Sequence, residues 1–279
     1  MSRPHTPPTL AQGRVPLYQD ESLEPLLPAA GSGAIIQKKR GYRFSVDALL
    51  LAALAAHYRY TSKTKYLDIG TGCGIVPLLL AAVHEHLHGY GVEIQEAVAD
   101  MARRNCTLRG VDDRISILCM DVKALPDRFQ SGSFDVITSN PPYRTVTSGR
   151  INPDAQKAVA RHEIHVTLGE LLSIVAFLLR PKGTFFLVYP AGRCAELIAG
   201  LRRVRLQPKR LRPVYPDPAH TARLVLVEAH LGGGDETVLE QPLFIRDQSG
   251  EYSPEMQQIY EGRLDTMRLR TAQGSRVGA

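Results

Sequence analysis

The sequence predicts an α/β protein whose mostly parallel, seven-stranded sheet is closed by a terminal antiparallel hairpin. Three observations support this. From residue 35 onward, short apolar runs alternate with longer helical patterns, as crossover units require. The first run ends in a glycine turn that leads straight into an apolar helix. The last two runs stand close together with no helical pattern between them.

SVDALLLAALAAHY sets Ser45 and Asp47 ahead of strong helix formers and predicts a helix that buries much of its surface. KYLDIG, residues 65–70, is the first strand, TGCG the turn, and Ile75 to Leu87 the next helix. Pro77 fits there because a first helical turn has no use for its missing N–H. GYGVEI is the second strand, followed by the helix QEAVADMARRNCTLRG, closed by Gly110. RISILCMD and FDVITS are the third and fourth strands. A long helix, EIHVTLGELLSIVAFLLRPKG, stops at Pro-Gly before the fifth strand TFFLVYP and the helix AGRCAELIAGLRRV. LRPVYP and ARLVLVEA, joined by DPAHT, make the hairpin, and PLFIRDQSGEYSPEMQQIY reads as a short flap with a turn at Ser249-Gly250. The expected division is a flexible tail over 1–34, one domain over 35–260 and a flexible tail over 261–279.

At 279 residues and 44% hydrophobic composition the chain suits one globular domain. No apolar run reaches the roughly 18 residues of a spanning helix, and the N-terminal segment lacks a signal peptide's apolar core. A cytoplasmic protein without a membrane partner is expected. Cys73, Cys106, Cys119 and Cys194 form no CxxC pair, so neither a metal site nor a disulfide framework is indicated. The formal charge of +6 is compatible with a polyanionic partner. Basic residues cluster in KKRGYR, with Lys38, Arg40 and Arg43, and in RRVRLQPKRLR, residues 202–212. Each cluster is either a solvated face or a nucleic-acid contact.

An open parallel sheet binds ligands at the carboxyl ends of its strands. Asp68, Gly70, Gly72 and Gly74 occupy that place on the first strand, and the glycines let backbone approach a ligand closely. Glu93 ends the second strand, with Ile94 beside it, where a carboxylate can accept two ribose hydroxyls. Asp121 and Val122 follow the third strand within reach of a base edge. This much fits either NAD or S-adenosylmethionine, and Asp121 also fits an ordinary turn. No GK[ST] follows the glycines, and neither GxSxG nor HExxH occurs, which disfavours ATP hydrolysis, serine chemistry and a zinc protease site.

The fourth strand runs into Asn140-Pro141-Pro142-Tyr143-Arg144. Two prolines stiffen the turn behind Asn140. An exocyclic amine conjugated to a ring is a poor nucleophile because its lone pair is delocalised. The Asn140 side-chain oxygen and the Pro141 carbonyl could accept its two N–H hydrogens, and Tyr143 offers a ring face to a planar base. With an activated methyl donor, proximity and in-line orientation suffice, so neither metal nor covalent intermediate is required. The turn adds Pro142 and Arg144, and the basic clusters and the loop that follows add Lys38, Arg40, Arg43, Arg150, Lys157, Arg161 and His162, as candidate substrate contacts. Arg161, His162 and Glu163 equally fit a helix cap.

GYRFSVDALLLA, VEIQ, ARRNCTLRG, NPPYR, ARHE at 160–163, RLRPVYP, QPLFI and YSPEMQQIY together resemble the bacterial tRNA1(Val) (adenine-37-N6)-methyltransferase family. That family lies within the Rossmann-like class I methyltransferases carrying N-P-P-Y. The resemblance spans Gln37 to Tyr260; the leader before Ile35 is longer than the family's compact start. It implies S-adenosylmethionine as cofactor and methyl transfer to N6 of the adenine beside the anticodon of a valine tRNA, with no obligate protein partner. It assigns Asp68, Gly70, Gly72, Glu93 and Asp121 to the cofactor, Asn140, Pro141 and Tyr143 to the target adenine, and Phe44 and Asp47 to the pocket's closure. Other amino-group acceptors use the same turn: guanine N2 in ribosomal RNA, adenine N6 in DNA and glutamine in release factors. A non-catalytic nucleotide-binding protein is the alternative from a different class.

Overall fold

The computed structural model describes residues 9–11, 15–27, 33–40, 43–141 and 166–267. Its N-terminal segment forms two antiparallel pairs: β1 (Thr9–Ala11) with β2 (Val15–Leu17), and β3 (Glu21–Pro25) with β4 (Ala34–Lys38). The flexible tail expected over 1–34 therefore does not hold for residues 15–27. Val15, Leu26 and Leu27 are buried in one core with Ile35 and Ile36. Charge completes the docking. Arg104 donates to both oxygens of the buried Glu21, at 2.8 and 2.7 Å, and to the Pro16 carbonyl at 2.9 Å, with its guanidinium 4.5 Å over the Tyr18 ring. These strands are too short, and too mixed in polarity, to show a period.

The main body alternates helix and strand as expected. It comprises α1 (Val46–Ala55), β5 (Lys65–Ile69), α2 (Ile75–Val83), β6 (His88–Glu93), α3 (Glu96–Arg109), β7 (Ile115–Cys119), α4 (Leu125–Arg128) and β8 (Phe134–Ser139). Then come α5 (Leu168–Leu178), β9 (Leu179–Pro190), α6 (Cys194–Arg203), β10 (Leu206–Tyr215), β11 (Leu224–Leu231), β12 (Val238–Leu239), β13 (Leu243–Phe244) and α7 (Pro254–Tyr260). The sheet order is β7-β6-β5-β8-β9-β11-β10, and β12 and β13 both pair with β10. Strands β5 to β9 are parallel, and β11 runs antiparallel to both β9 and β10. The seven expected strands are present; β12 and β13, two residues each, are too short for a sequence pattern to reveal.

Apolar clusters fill both faces of the sheet, one gathering residues of α1, α2 and α3, the other residues of α5 and α6. Helix α1 is apolar all round because it is covered all round: Ala48 through Ala55 are buried. Met256 and Ile259 of α7, with Leu264 and Met267, belong to the same cluster. A flexible tail over 261–279 thus does not hold for Leu264–Met267, a short 3-10 turn. Helix α5 ends at Leu178, before Pro181, and β9 takes the turn residues in, with Lys182 at φ 63°. Its start carries a capping box between Thr167 and Glu170.

Only part of the basic run 202–212 is a solvated face: Arg202, Arg203 and Arg205 are exposed, whereas Arg210 and Arg212 are not. Burial alternates along β10, and Arg210 and Arg212 fall on its buried positions. Arg210 pairs with Glu228 and Glu240 and donates to the Met267 carbonyl; Arg212 forms a two-pronged pair with Glu255 at 2.6 and 2.7 Å. These arginines fasten the C-terminal segment to the sheet. Among the described residues, no helix is long and apolar enough to cross a membrane.

Candidate active site

Neighbours β5 and β8 connect to opposite halves of the sheet, which opens a crevice at their carboxyl ends. Gly70, Gly72 and Gly74 take φ of 75°, 58° and 86°, a region that side chains disfavour. The turn is tied down by the Gly70 and Thr71 N–H groups, both donating to the Val92 carbonyl at 2.9 Å. Gly91 serves a different need: a Cβ there would lie 2.8 Å from Ile117 and from the Thr71 hydroxyl.

Glu93 is buried, and its two oxygens accept the N–H groups of Gly72 at 3.2 Å and Gln95 at 2.9 Å. A carboxylate offers about four acceptor positions, so two hydroxyls can still be received. Burial pushes the Glu93 carboxyl up, while those amides pull it down. Asp68 lies deeper. Its Oδ1 accepts the Thr138 hydroxyl at 2.6 Å, and Tyr66 shares that hydroxyl at 2.7 Å. Its buried Oδ2 has no hydrogen-bond partner among the described residues.

Gly70, Glu93, Ile94, Asp121, Val122 and Pro141 line one pocket. The structure thus brings together residues drawn from four strand ends. Ser139, Met120, Val166 and Leu171 complete its walls, and nothing in the sequence singled them out. Ser139 donates its hydroxyl to the Ile69 carbonyl at 3.0 Å, fastening the end of β8 to β5 immediately before Asn140. Asp121 accepts the Lys123 N–H at 2.9 Å, so the turn reading holds alongside the base-edge one. Gly74 caps α2. Phe44 and Asp47 stand at the start of α1, outside that pocket's lining; burial pushes the Asp47 carboxyl up.

Two proposed substrate cations have partners inside the chain. Lys38 lies 2.8 Å from Asp20 and 3.5 Å from Glu21, and Arg43 pairs with Glu24. They do not form the free basic patch that KKRGYR suggested, because β3 and its turn bring carboxylates against them. Arg40 is exposed. Pro142, Tyr143, Arg144, Arg150, Lys157, Arg161, His162 and Glu163 lie outside the described residues.

Asp68 makes a prediction. Its burial raises the carboxyl from 3.8 to about 6, against the pull of the Thr138 hydroxyl. Because the folded value lies above the unfolded one, its contribution to stability falls as pH rises through that window and then levels. The shift corresponds to roughly 3 kcal/mol. Asp68→Asn should therefore stabilise the ligand-free protein by an amount that grows from about pH 4 to about pH 6 and stays constant above. Melting curves across pH test this, and an advantage that does not change with pH would refute it.

The crevice, the positive-φ turn and the two buried acids meet the needs of an adenosine-bearing ligand. The Methyltransferase small domain model matches residues 45–189. The fold is also that of a predicted O-methyltransferase from Agrobacterium tumefaciens, with a TM-score of 0.62, 22% identity and coverage of 78% of this chain and 96% of that one. This is a class I, S-adenosylmethionine-dependent methyltransferase. A tRNA1(Val) (adenine(37)-N6)-methyltransferase of Porphyromonas gingivalis is 32% identical over 224 residues, covering 78% of this chain and 87% of the relative. One of Shewanella halifaxensis is 30% identical over 224 residues, covering 76% and 88%. The chain belongs to the tRNA1(Val) (adenine-37-N6)-methyltransferase family.

Proposed function

We propose that the protein transfers a methyl group to the exocyclic N6 of adenine 37 in a valine tRNA. One observation carries the reading: Ser139 and Pro141, on either side of Asn140, line the same pocket as Gly70, Glu93 and Asp121. Asn140, between two lining residues, stands at the margin of the nucleotide pocket. The relatives' named activity supplies the target base and the RNA.

The cofactor supplies an electrophilic methyl on a sulfonium. Glu93 and Asp121, which line the pocket, would receive the ribose hydroxyls and meet the base edge, and Asp68 Oδ2, which has no hydrogen-bond partner among the described residues, would accept a donor from the ligand's polar end. Asn140 holds the incoming amine through its N–H hydrogens, which turns the nitrogen lone pair toward the methyl and favours the positive charge that develops there. An adenine stacked in an RNA loop must first be turned out to reach this position.

The test is transfer from labelled S-adenosylmethionine to unmodified total tRNA, followed by nucleoside mass spectrometry and mapping. Methyl on N6 of adenine 37 in valine tRNA is expected. Methyl found instead in ribosomal RNA, DNA or a release factor would keep the class and overturn the substrate.

A further inference from the structure

Asn140 divides the carboxyl edge of the sheet. On one side, over β5, β6 and β7, lie Gly70, Glu93 and Asp121, the half that a nucleotide cofactor fills. A substrate that reaches Asn140 must therefore lie over the other half. That half is formed by the ends of β9 and β10 and the start of β11. Because β11 runs antiparallel to both neighbours, Tyr215 of β10 ends on the same edge as Pro190 of β9. Three strand steps separate β8 from β10, about 14 Å at ~4.8 Å per step. This distance matches a few nucleotides of a folded loop.

We infer that this half of the edge is an RNA-binding surface on which Arg223 and Arg246 contact phosphates and Arg246 with Tyr252 stacks a base flanking the target. The inference rests on the proposed RNA substrate. Arg223 is exposed where β11 begins, and among the described residues it has no carboxylate partner. Arg246 is exposed as well, and its N–H donates to the Pro216 carbonyl at 2.9 Å, which fixes it to the end of β10. Its guanidinium lies 4.6 Å over the Tyr252 ring and donates to the Gly250 carbonyl at 2.6 Å. Tyr252 keeps 36% of its surface exposed, and its ring packs against that of Tyr260 at 4.7 Å as well as under Arg246, so a base would stack on the Arg246–Tyr252 pair as a unit.

This arrangement contrasts with several of the cations that the sequence made conspicuous, although Arg40, Arg203 and Arg205 are exposed too. Lys38, Arg43, Arg210 and Arg212 are paired with carboxylates, and so is Arg193, which pairs with Glu196. Three acids lie near the surface: Asp217 is engaged with His220 at 2.8 Å, Asp247 with the N–H of Ser249 at 2.8 Å and with its hydroxyl, and Glu251 is exposed beside Tyr252. Among the described residues none of the three pairs with either arginine. Guanidiniums without a carboxylate partner beside a partly exposed, rigidly held ring suit a flexible polyanion with stackable bases.

Filter binding and steady-state kinetics with the full chain and unmodified valine tRNA test the surface. The double variant Arg223→Glu, Arg246→Glu should raise both Kd and KM for tRNA about tenfold or more, with kcat and S-adenosylmethionine affinity near wild type. The slope of log affinity against log salt should shrink by about 1 to 2, and Tyr252→Ala should weaken tRNA binding roughly tenfold. The double variant Lys63→Glu, Lys65→Glu, an equal charge change on the exposed opposite edge, should have less than about a twofold effect. If the Arg223, Arg246 double variant binds no worse than this control, the surface is refuted. Should the wild type bind tRNA but leave adenine 37 unmethylated, the target assignment falls, while lost binding in the arginine double variant still upholds the surface. A wild type that binds no RNA overturns both.

Discussion

Replacing Asn140 by alanine is expected to lower the single-turnover rate of methyl transfer by roughly a hundred- to a thousandfold, the usual loss when one preorganised polar contact to developing charge is removed. S-adenosylmethionine affinity should stay within about twofold. The separation follows from which residue would hold the ribose. Ser139 and Pro141 line the nucleotide pocket, but the ribose acceptor is Glu93, whose orientation is set by the Gly72 and Gln95 amides and not by β8. Glu93→Ala should accordingly weaken cofactor binding first, by roughly tenfold or more, because two hydroxyls lose a charged acceptor. Asn140→Asp keeps an acceptor oxygen and should recover part of the lost rate. Turnover comparable to wild type in Asn140→Ala would remove the amide from the mechanism, and equal cofactor affinity in Glu93→Ala would mean that the ribose lies elsewhere.

The alternating strands and helices, and the acids at strand ends, were legible because each is written locally: a run, a turn residue, a period. Glu93, Asp121 and Pro141 converge on one pocket because a parallel sheet places all its carboxyl ends together. Features that depend on register were invisible. Thr138 meets Asp68 only because the two are paired across β5 and β8. The basic runs misled for the same reason. Whether an arginine faces water or a carboxylate depends on which strand crosses it, and β10 turns Arg210 and Arg212 inward on alternate positions. Conversely, Arg246 and Arg223 stand alone in the sequence and share an edge only through the crossing of β10 and β11. The N-terminal strands hid because their partner is a polar pair, Glu21 with Arg104, 83 residues apart.

Substituting leucine for Asn105 should produce the largest loss of stability of any single change considered, roughly 3–5 kcal/mol, with cofactor affinity falling about tenfold. Asn105 lies on α3 and is fully buried. Its Oδ1 accepts the Ile36 N–H at 2.7 Å, and its Nδ2 donates to the Ile36 carbonyl at 3.0 Å and to the Cys73 carbonyl at 2.9 Å. The carboxamide thus acts as a one-residue partner strand for the open edge of β4, and it grips the glycine turn at the residue after Gly72. Leucine is close in size but would strand three buried backbone groups, each costing about 1–3 kcal/mol. The same bonds tie the N-terminal strands to the turn that presents the Gly72 amide to Glu93, so unfastening one loosens the other. Melting with and without S-adenosylmethionine measures both effects, and hydrogen exchange at Ile36 locates them. Asn105→Asp gives the internal check: its carboxylate can accept from Ile36 but has nothing to donate until it is protonated. Its stability relative to wild type should therefore improve as pH falls. If Asn105→Leu melts within about 1 kcal/mol of wild type, the clamp is not what holds the N-terminal strands to the cofactor turn.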